Sequence, residues 1–94
     1  MAVMAVVRVP NLSVQGYDAS TEHLGPMVKQ QQGFISHAAV QEGDGFVITE
    51  YWDSEEQARN WYDNTVRPAV AQADISGFQA EFHQIHNLIE GEAR

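Results

Sequence analysis

The stretch from Gly33 to Trp61 constrains the fold more than any other part of the chain, because it reads as a β-hairpin running straight into a capped helix. Two apolar-rich runs, Phe34 to Val40 and Phe46 to Trp52, flank Glu42-Gly43-Asp44-Gly45, whose glycines supply the positive φ that a tight reversal demands. Directly after Trp52, Asp53 or Ser54 can accept from free backbone N–H groups, with Glu56 or Gln57 three positions on to close a capping box. A helix is therefore expected from about Ser54. Its apolar positions Ala58, Trp61, Tyr62 and Thr65/Val66 recur at spacings of three and four, one face of a helix laid on a sheet, while Glu55, Arg59 and Asp63 form the wet face.

The flanking segments complete the pattern. Ala2 to Val9 is an almost unbroken apolar run ended by Pro10, which predicts a central strand covered on both faces. Ser13 is placed to cap a first helix, with Val14, Tyr17, Thr21 and Leu24 at helical spacing until Gly25-Pro26 stops it. Met27 to Gln32 reads equally as helix or loop. Within the second helix Pro68 removes a backbone donor, so a kink is expected near Thr65 to Arg67 with a restart at Pro68 to Ala73. A last strand is predicted over Phe78 to Ile89, with Phe78, Ala80 and Phe82 on one face and Ile85 and Ile89 on the other, before a mobile polar tail, Glu90 to Arg94.

The order β-α-β-β-α-β predicts an α+β, ferredoxin-like fold: an antiparallel sheet in the order 4-1-3-2 with two helices on one face. All 94 residues form one domain of this kind. Strands that are apolar on both faces leave the helix-free face uncovered, and packing it on a second copy predicts a two-fold homodimer.

Charge and composition narrow the partners. Thirteen acidic residues against five scattered basic ones give a formal net charge of −8, which repels phosphate backbones and anionic lipid, so neither nucleic acid nor membrane is an expected partner. The chain has no cysteine, hence no disulfide or thiolate site, and no N-terminal signal pattern, which makes a cytoplasmic address the expectation. Neither metal nor cofactor is expected: His23, His37, His83 and His86 lack zinc-like spacing, and no glycine loop suits a nucleotide phosphate.

Several residues suggest chemistry. His37 sits mid-strand between the small residues Ser36 and Ala38, either as a satisfied core histidine or as a neutral base. Glu50, between Thr49 and Tyr51, is desolvated if it faces a pocket and meaningless if it faces water. Tyr51, Trp52, Trp61, Tyr62, Phe46, Phe78 and Phe82 are first of all core material, with an aromatic-lined cavity between sheet and helices as the sharper alternative and Trp61 and Tyr62 its best candidates. His83 and His86, three apart on one strand, point to opposite faces, so only one can share a cavity.

With Gly33-Phe34, Glu50-Tyr51-Trp52-Asp53-Ser54-Glu55-Glu56, Ala58, Trp61 and Val66-Arg67-Pro68-Ala69-Val70 in view, the chain resembles the antibiotic-biosynthesis-monooxygenase-like group of the dimeric α+β barrel superfamily over nearly its whole length. A closer likeness pairs His37 with a C-terminal His86-Asn87-Leu88-Ile89, which favours His86 over His83 and has His37 and His86 meeting across the dimer. The resemblance implies a cofactor-independent monooxygenase acting on an aromatic or polyketide-like compound. Its implied catalytic residues are His37, His86 and Trp61, and its implied substrate contacts are Glu50, Tyr51, Tyr62, Phe82 and Asn87. The haem-degrading branch matches less well, since its strand asparagine falls at Val7 and its helix histidine at Ala71. A proton-moving isomerase, cyclase or lyase on the same scaffold, and a non-catalytic small-molecule binder, are the alternatives.

Overall fold

The computed structural model describes every residue except Asp74, Ser76 and Arg94. Strands β1 (Val3–Val9), β2 (Phe34–Glu42), β3 (Gly45–Trp52) and β4 (Gln79–Gln84) form one antiparallel sheet in the order β2-β3-β1-β4. Helix α1 (Val14–Val28) crosses from β1 to β2, and the crossover from β3 to β4 comprises α2 (Glu55–Trp61), a π-helical turn (Tyr62–Val66) and α3 (Arg67–Gln72). This is the ferredoxin-like arrangement the sequence predicts.

Local chemistry places the boundaries. The hairpin closes through the Glu42↔Gly45 pair, with Gly43 at φ 57 as the first of two loop residues, a conformation glycine adopts without Cβ strain. Ser13 and Ser54 are the helix N-caps, their hydroxyls accepting from Gly16 N–H at 3.0 Å and Gln57 N–H at 3.2 Å. On β1, Val3, Ala5, Val7 and Val9 are all buried against Trp52, Ala58, Trp61, Tyr62 and Val66, so the core lies between sheet and helices.

Two expectations need correction, at the end of α1 and at the end of β4. Helix α1 does not stop at Gly25-Pro26 but runs to Val28 with Pro26 inside it. Gly25 lacks the Cβ that a following proline crowds, and in the last turn the missing donor costs one bond near a carbonyl end that water reaches. The second helix changes character where Pro68 predicts, a fresh α-helical segment, α3, starting at Arg67. The backbone widens just before it, Arg67 N–H bonding to Tyr62 C=O in an i→i−5 step, so that the π-helical turn accommodates the proline. Strand β4 ends at Gln84 rather than Ile89, because its neighbour among the described strands is β1, which begins at Val3: Gln84 pairs with Val3, and Ile85 N–H still reaches Ala2 C=O at 2.9 Å. Glu90 to Ala93 are exposed and lack regular structure, and Arg94 lies outside the described residues.

The helix-free face carries Met4, Val6 and Arg8 of β1, Ser36, Ala38 and Val40 of β2, Val47, Thr49 and Tyr51 of β3, and Gln79, Glu81 and His83 of β4. It is apolar across β2, β3 and β1 and polar along β4, where Arg8 pairs with Glu81 at 3.8 Å. Among the described residues no helix is long and apolar enough to cross a membrane.

Candidate functional site

The helix-facing side of β3 presents Phe46, Ile48, Glu50 and Trp52 by simple alternation. Glu50 is thereby carried into the interior, 4% exposed and the only buried charged residue among those described. Strand β2 does not alternate simply. Phe34 and His37 are an odd number of residues apart, and strict alternation would send them to opposite faces. A β-bulge between Phe34 and Ser36 absorbs Ile35 as an extra residue, so that Phe34 pairs with Trp52 and His37 pairs with Glu50, both toward the helices.

The bulge thus brings a histidine onto a buried carboxylate. His37 Nδ1 lies 2.6 Å from Glu50 Oε2, while Glu50 Oε1 accepts from Tyr62 O–H at 2.6 Å and from Trp52 Nε1–H at 3.0 Å. Indole and phenol hydrogens both end on Oε1, and a carboxylate, which only accepts, assigns the His37 proton to Nδ1 facing Oε2. With Nδ1–H directed at Glu50, the basic nitrogen of His37 is Nε2, and the Tyr17 hydroxyl lies 2.7 Å from it. The Tyr17 ring is stacked on Phe46, with centroids 4.7 Å apart and planes inclined at 15°.

Burial first, then the Glu50 charge and the hydrogen bond to it, push the Tyr62 phenol far above its ordinary range. Tyr62 is therefore a fixed hydrogen-bond donor that never ionises at physiological pH.

The chain of side chains Tyr17, His37, Glu50 and Tyr62 opens on a cavity of about 370 Å³ between sheet and helices, with walls that include Val7, Leu24, Ile48, Trp61, Val70 and Phe78. Its charged lining residues are Glu50 and Lys29. Lys29, at the end of α1, has no carboxylate within ion-pair distance among the described residues, whereas Arg8, Arg59 and Arg67 each have one. Such a space suits a flat, mainly apolar molecule with a hydroxyl or carbonyl at the histidine end. No group of three or more metal-ligating side chains occurs among the described residues.

Of the residues singled out from sequence, the fold brings His37, Glu50, Trp61 and Tyr62 together on this cavity. Phe78 lines it too, whereas Tyr51, Phe82, His83, His86 and Asn87 of the same chain do not. Tyr51 points to the helix-free face, opposite Met4 and Ser36. Phe82 packs edge-on against Tyr62 at 5.8 Å beneath the Arg59 guanidinium and does not line the cavity. His86 and Asn87 are exposed beyond the end of β4, at the opposite edge of the sheet from His37. His83 faces the helix-free side.

Tyr17 was readable from sequence only as part of the apolar stripe of α1. The one signal was a phenol in a row otherwise made of Val14, Thr21 and Leu24. Trp52 likewise reads as packing until its N–H is seen to end on Glu50.

The chain is similar to known proteins along most of its length. The family profile described as "Antibiotic biosynthesis monooxygenase" matches residues 1–87. Among solved structures, SnoaB of Streptomyces nogalater, described as a cofactor-independent oxygenase, superposes with a TM-score of 0.71 at 16% identity, covering 96% of this chain and 98% of that one. The NE2512 protein of Nitrosomonas europaea, of unknown function, gives a TM-score of 0.74 at 13% identity over 98% and 96% of the two chains. The monooxygenase from the ActVA-Orf6 gene of Streptomyces coelicolor, solved with nanaomycin D, gives 0.66 at 20% identity over 97% and 93%. At these identities the likeness is one of fold. No curated protein matches the chain.

Proposed function

Because this chain belongs to the antibiotic biosynthesis monooxygenase family, we propose that it oxidises an electron-rich aromatic compound with molecular oxygen in the cavity beneath its helices, without a resident cofactor. The observation that supports this reading most directly is the His37–Glu50 pair at one end of an apolar cavity. Removal of a proton from a phenol gives an anion that can pass one electron to oxygen. The two radicals join at the ring carbon opposite the phenolic oxygen, and the resulting peroxide takes up a proton. Loss of water, with removal of the hydrogen on that carbon, leaves a quinone. For a naphthol the sum is one phenol plus one O₂ giving one quinone and one water, with the substrate itself supplying every electron.

The protein's part is to exclude water, orient the ring and hold the proton. Glu50 keeps the His37 tautomer with Nε2 basic, and Trp61 and Tyr62 form wall and donor. SnoaB, with the same fold, is described as a cofactor-independent oxygenase, and the ActVA-Orf6 monooxygenase was solved with the ligand nanaomycin D. A single chain builds this constellation without His86 and Asn87.

We also propose that the helix-free face is covered by a second copy, since Val40, 61% exposed, lies beside half-buried Val6, Val47 and Tyr51 on an otherwise unshielded sheet.

The test is oxygen uptake with an anthrone or naphthol substrate, expected to be lost in His37→Ala and Glu50→Gln. One observation favours a second reading: a histidine bonded to a carboxylate moves protons without oxygen, as an isomerase, cyclase or lyase requires. Substrate turnover under argon by the native protein, lost with the same variants, would replace the first reading with the second.

A further inference from the structure

The nitrogen that the proposed chemistry needs is already taken: Tyr17 O–H sits 2.7 Å from His37 Nε2. Tyr17 is also a cavity-lining residue, and its stacking on Phe46 fixes the ring at that place. A phenol oxygen has one hydrogen and two lone pairs. Once the hydrogen is committed to Nε2, a lone pair remains to receive a hydrogen bond from a molecule in the cavity.

We infer that Tyr17 is the catalytic residue that receives the substrate's proton, with His37 acting one bond behind it, an inference that rests on the aromatic-oxidation reading above. The substrate hydroxyl donates to the Tyr17 oxygen as the Tyr17 proton passes to His37 Nε2. The imidazolium is then held against the Glu50 carboxylate. Before transfer the charges are Glu50 −1 and the rest neutral; afterwards Glu50 is −1, His37 +1, Tyr17 neutral and the substrate oxygen −1, so the sum is unchanged and two O–H bonds break as one O–H and one N–H bond form. Tyr17 ends with the former substrate proton, which it donates back as a hydrogen bond to the new phenolate. This relay selects the substrate class. Proton hopping between oxygens needs an acidic hydroxyl that can hydrogen-bond, so the structure assigns a hydroxylated aromatic, a naphthol or hydroquinone, in preference to a carbon acid such as an anthrone.

The experiment runs under argon, where oxidation is stopped and proton transfer alone is seen. A nitronaphthol, whose phenolate absorbs at its own wavelength, is mixed with native protein, Tyr17→Phe and His37→Ala at a pH below the free probe's own ionisation, and binding is followed separately by tryptophan fluorescence. The native protein is expected to ionise the bound probe. Tyr17→Phe, which keeps the ring on Phe46, is expected to bind it comparably but ionise it about 10²-fold more slowly, the size of a lost acid–base group. Mixtures of H₂O and D₂O should give a curved dependence of the native rate, the mark of two protons in flight. A Tyr17→Phe variant that ionises the probe as fast as native, or a straight-line isotope dependence, overturns the relay while leaving His37 as the direct base. A native protein that binds the probe without ionising it places the fault in the underlying reading instead.

Discussion

Replacing Glu50 by glutamine and by leucine separates hydrogen-bond satisfaction from charge. Leucine leaves Trp52 N–H and Tyr62 O–H, both buried, with no acceptor, because Glu50 Oε1 takes both bonds. Each buried unsatisfied donor costs about 1–3 kcal/mol, so the pair should cost roughly 2–6 kcal/mol. Glutamine can set its amide oxygen at the Oε1 position and keep both donors paired. It gives up charge assistance, a loss of about 1 kcal/mol per bond, and is relieved of burying a charge, so its net cost should be about 0–2 kcal/mol. With the middle of those ranges the difference is about 3 kcal/mol, and at about 4–8 °C per kcal/mol for a domain of this size Glu50→Leu should melt roughly 12–24 °C below Glu50→Gln. The glutamine amide would also turn an N–H₂ toward His37 Nδ1, forcing the proton to Nε2 and removing the base, so this variant should be stable and inactive. Thermal and urea unfolding followed by circular dichroism, with the tryptophan band read separately, measures the difference. A leucine variant as stable as the glutamine variant would refute the argument that Glu50 is anchored by these donors.

Other consequences are measurable. The Tyr62 phenol should keep its proton in the native protein where an unfolded tyrosine would lose it, as ultraviolet absorbance of the phenolate will show. Since the native Tyr62 phenol holds its proton above the unfolded value of 10.0, its contribution to stability is complete below about pH 10 and is lost as the pH rises further, by about 1.4 kcal/mol per pH unit while the unfolded chain alone deprotonates. Phenylalanine at position 62 should remove that alkaline slope. Gly45→Ala should destabilise by about 1–3 kcal/mol in urea titrations, because its Cβ would lie 2.2 Å from the Val9 carbonyl oxygen and push β3 from β1. For the proposed dimer, sedimentation should give twice the chain mass for the native protein and the monomer mass for Val40→Glu with unchanged circular dichroism; a native monomer at micromolar concentration removes that proposal.

What could be read along the chain is what depends on neighbours within a few residues. The Gly43 turn, the Ser13 and Ser54 caps, the apolar stripe Ala58-Trp61-Tyr62-Val66 and the even-spaced β3 face carrying Glu50 with Trp52 are all local, and sequence sufficed for the ferredoxin-like order of elements. The length of β4 was not local, since it is set by where β1 begins. Pro26 broke no helix because a glycine precedes it, and at Pro68 a wider turn carries the chain from one helical segment to the next, adjustments that propensity does not encode.

The site belongs to the same nonlocal class. His37, Glu50, Trp61 and Tyr62 were visible as candidates, but their meeting depends on the bulge at Ile35, which reverses the facing of β2 and is specified by pairing across the sheet. Tyr17 joins them from a helix 20 residues away in sequence, and within one chain Tyr51, His86 and Asn87 lie away from them through sheet face and strand length. Residue type and periodicity choose the elements, whereas strand register decides which side chains share a space, because a shift of one residue exchanges the two faces of a strand.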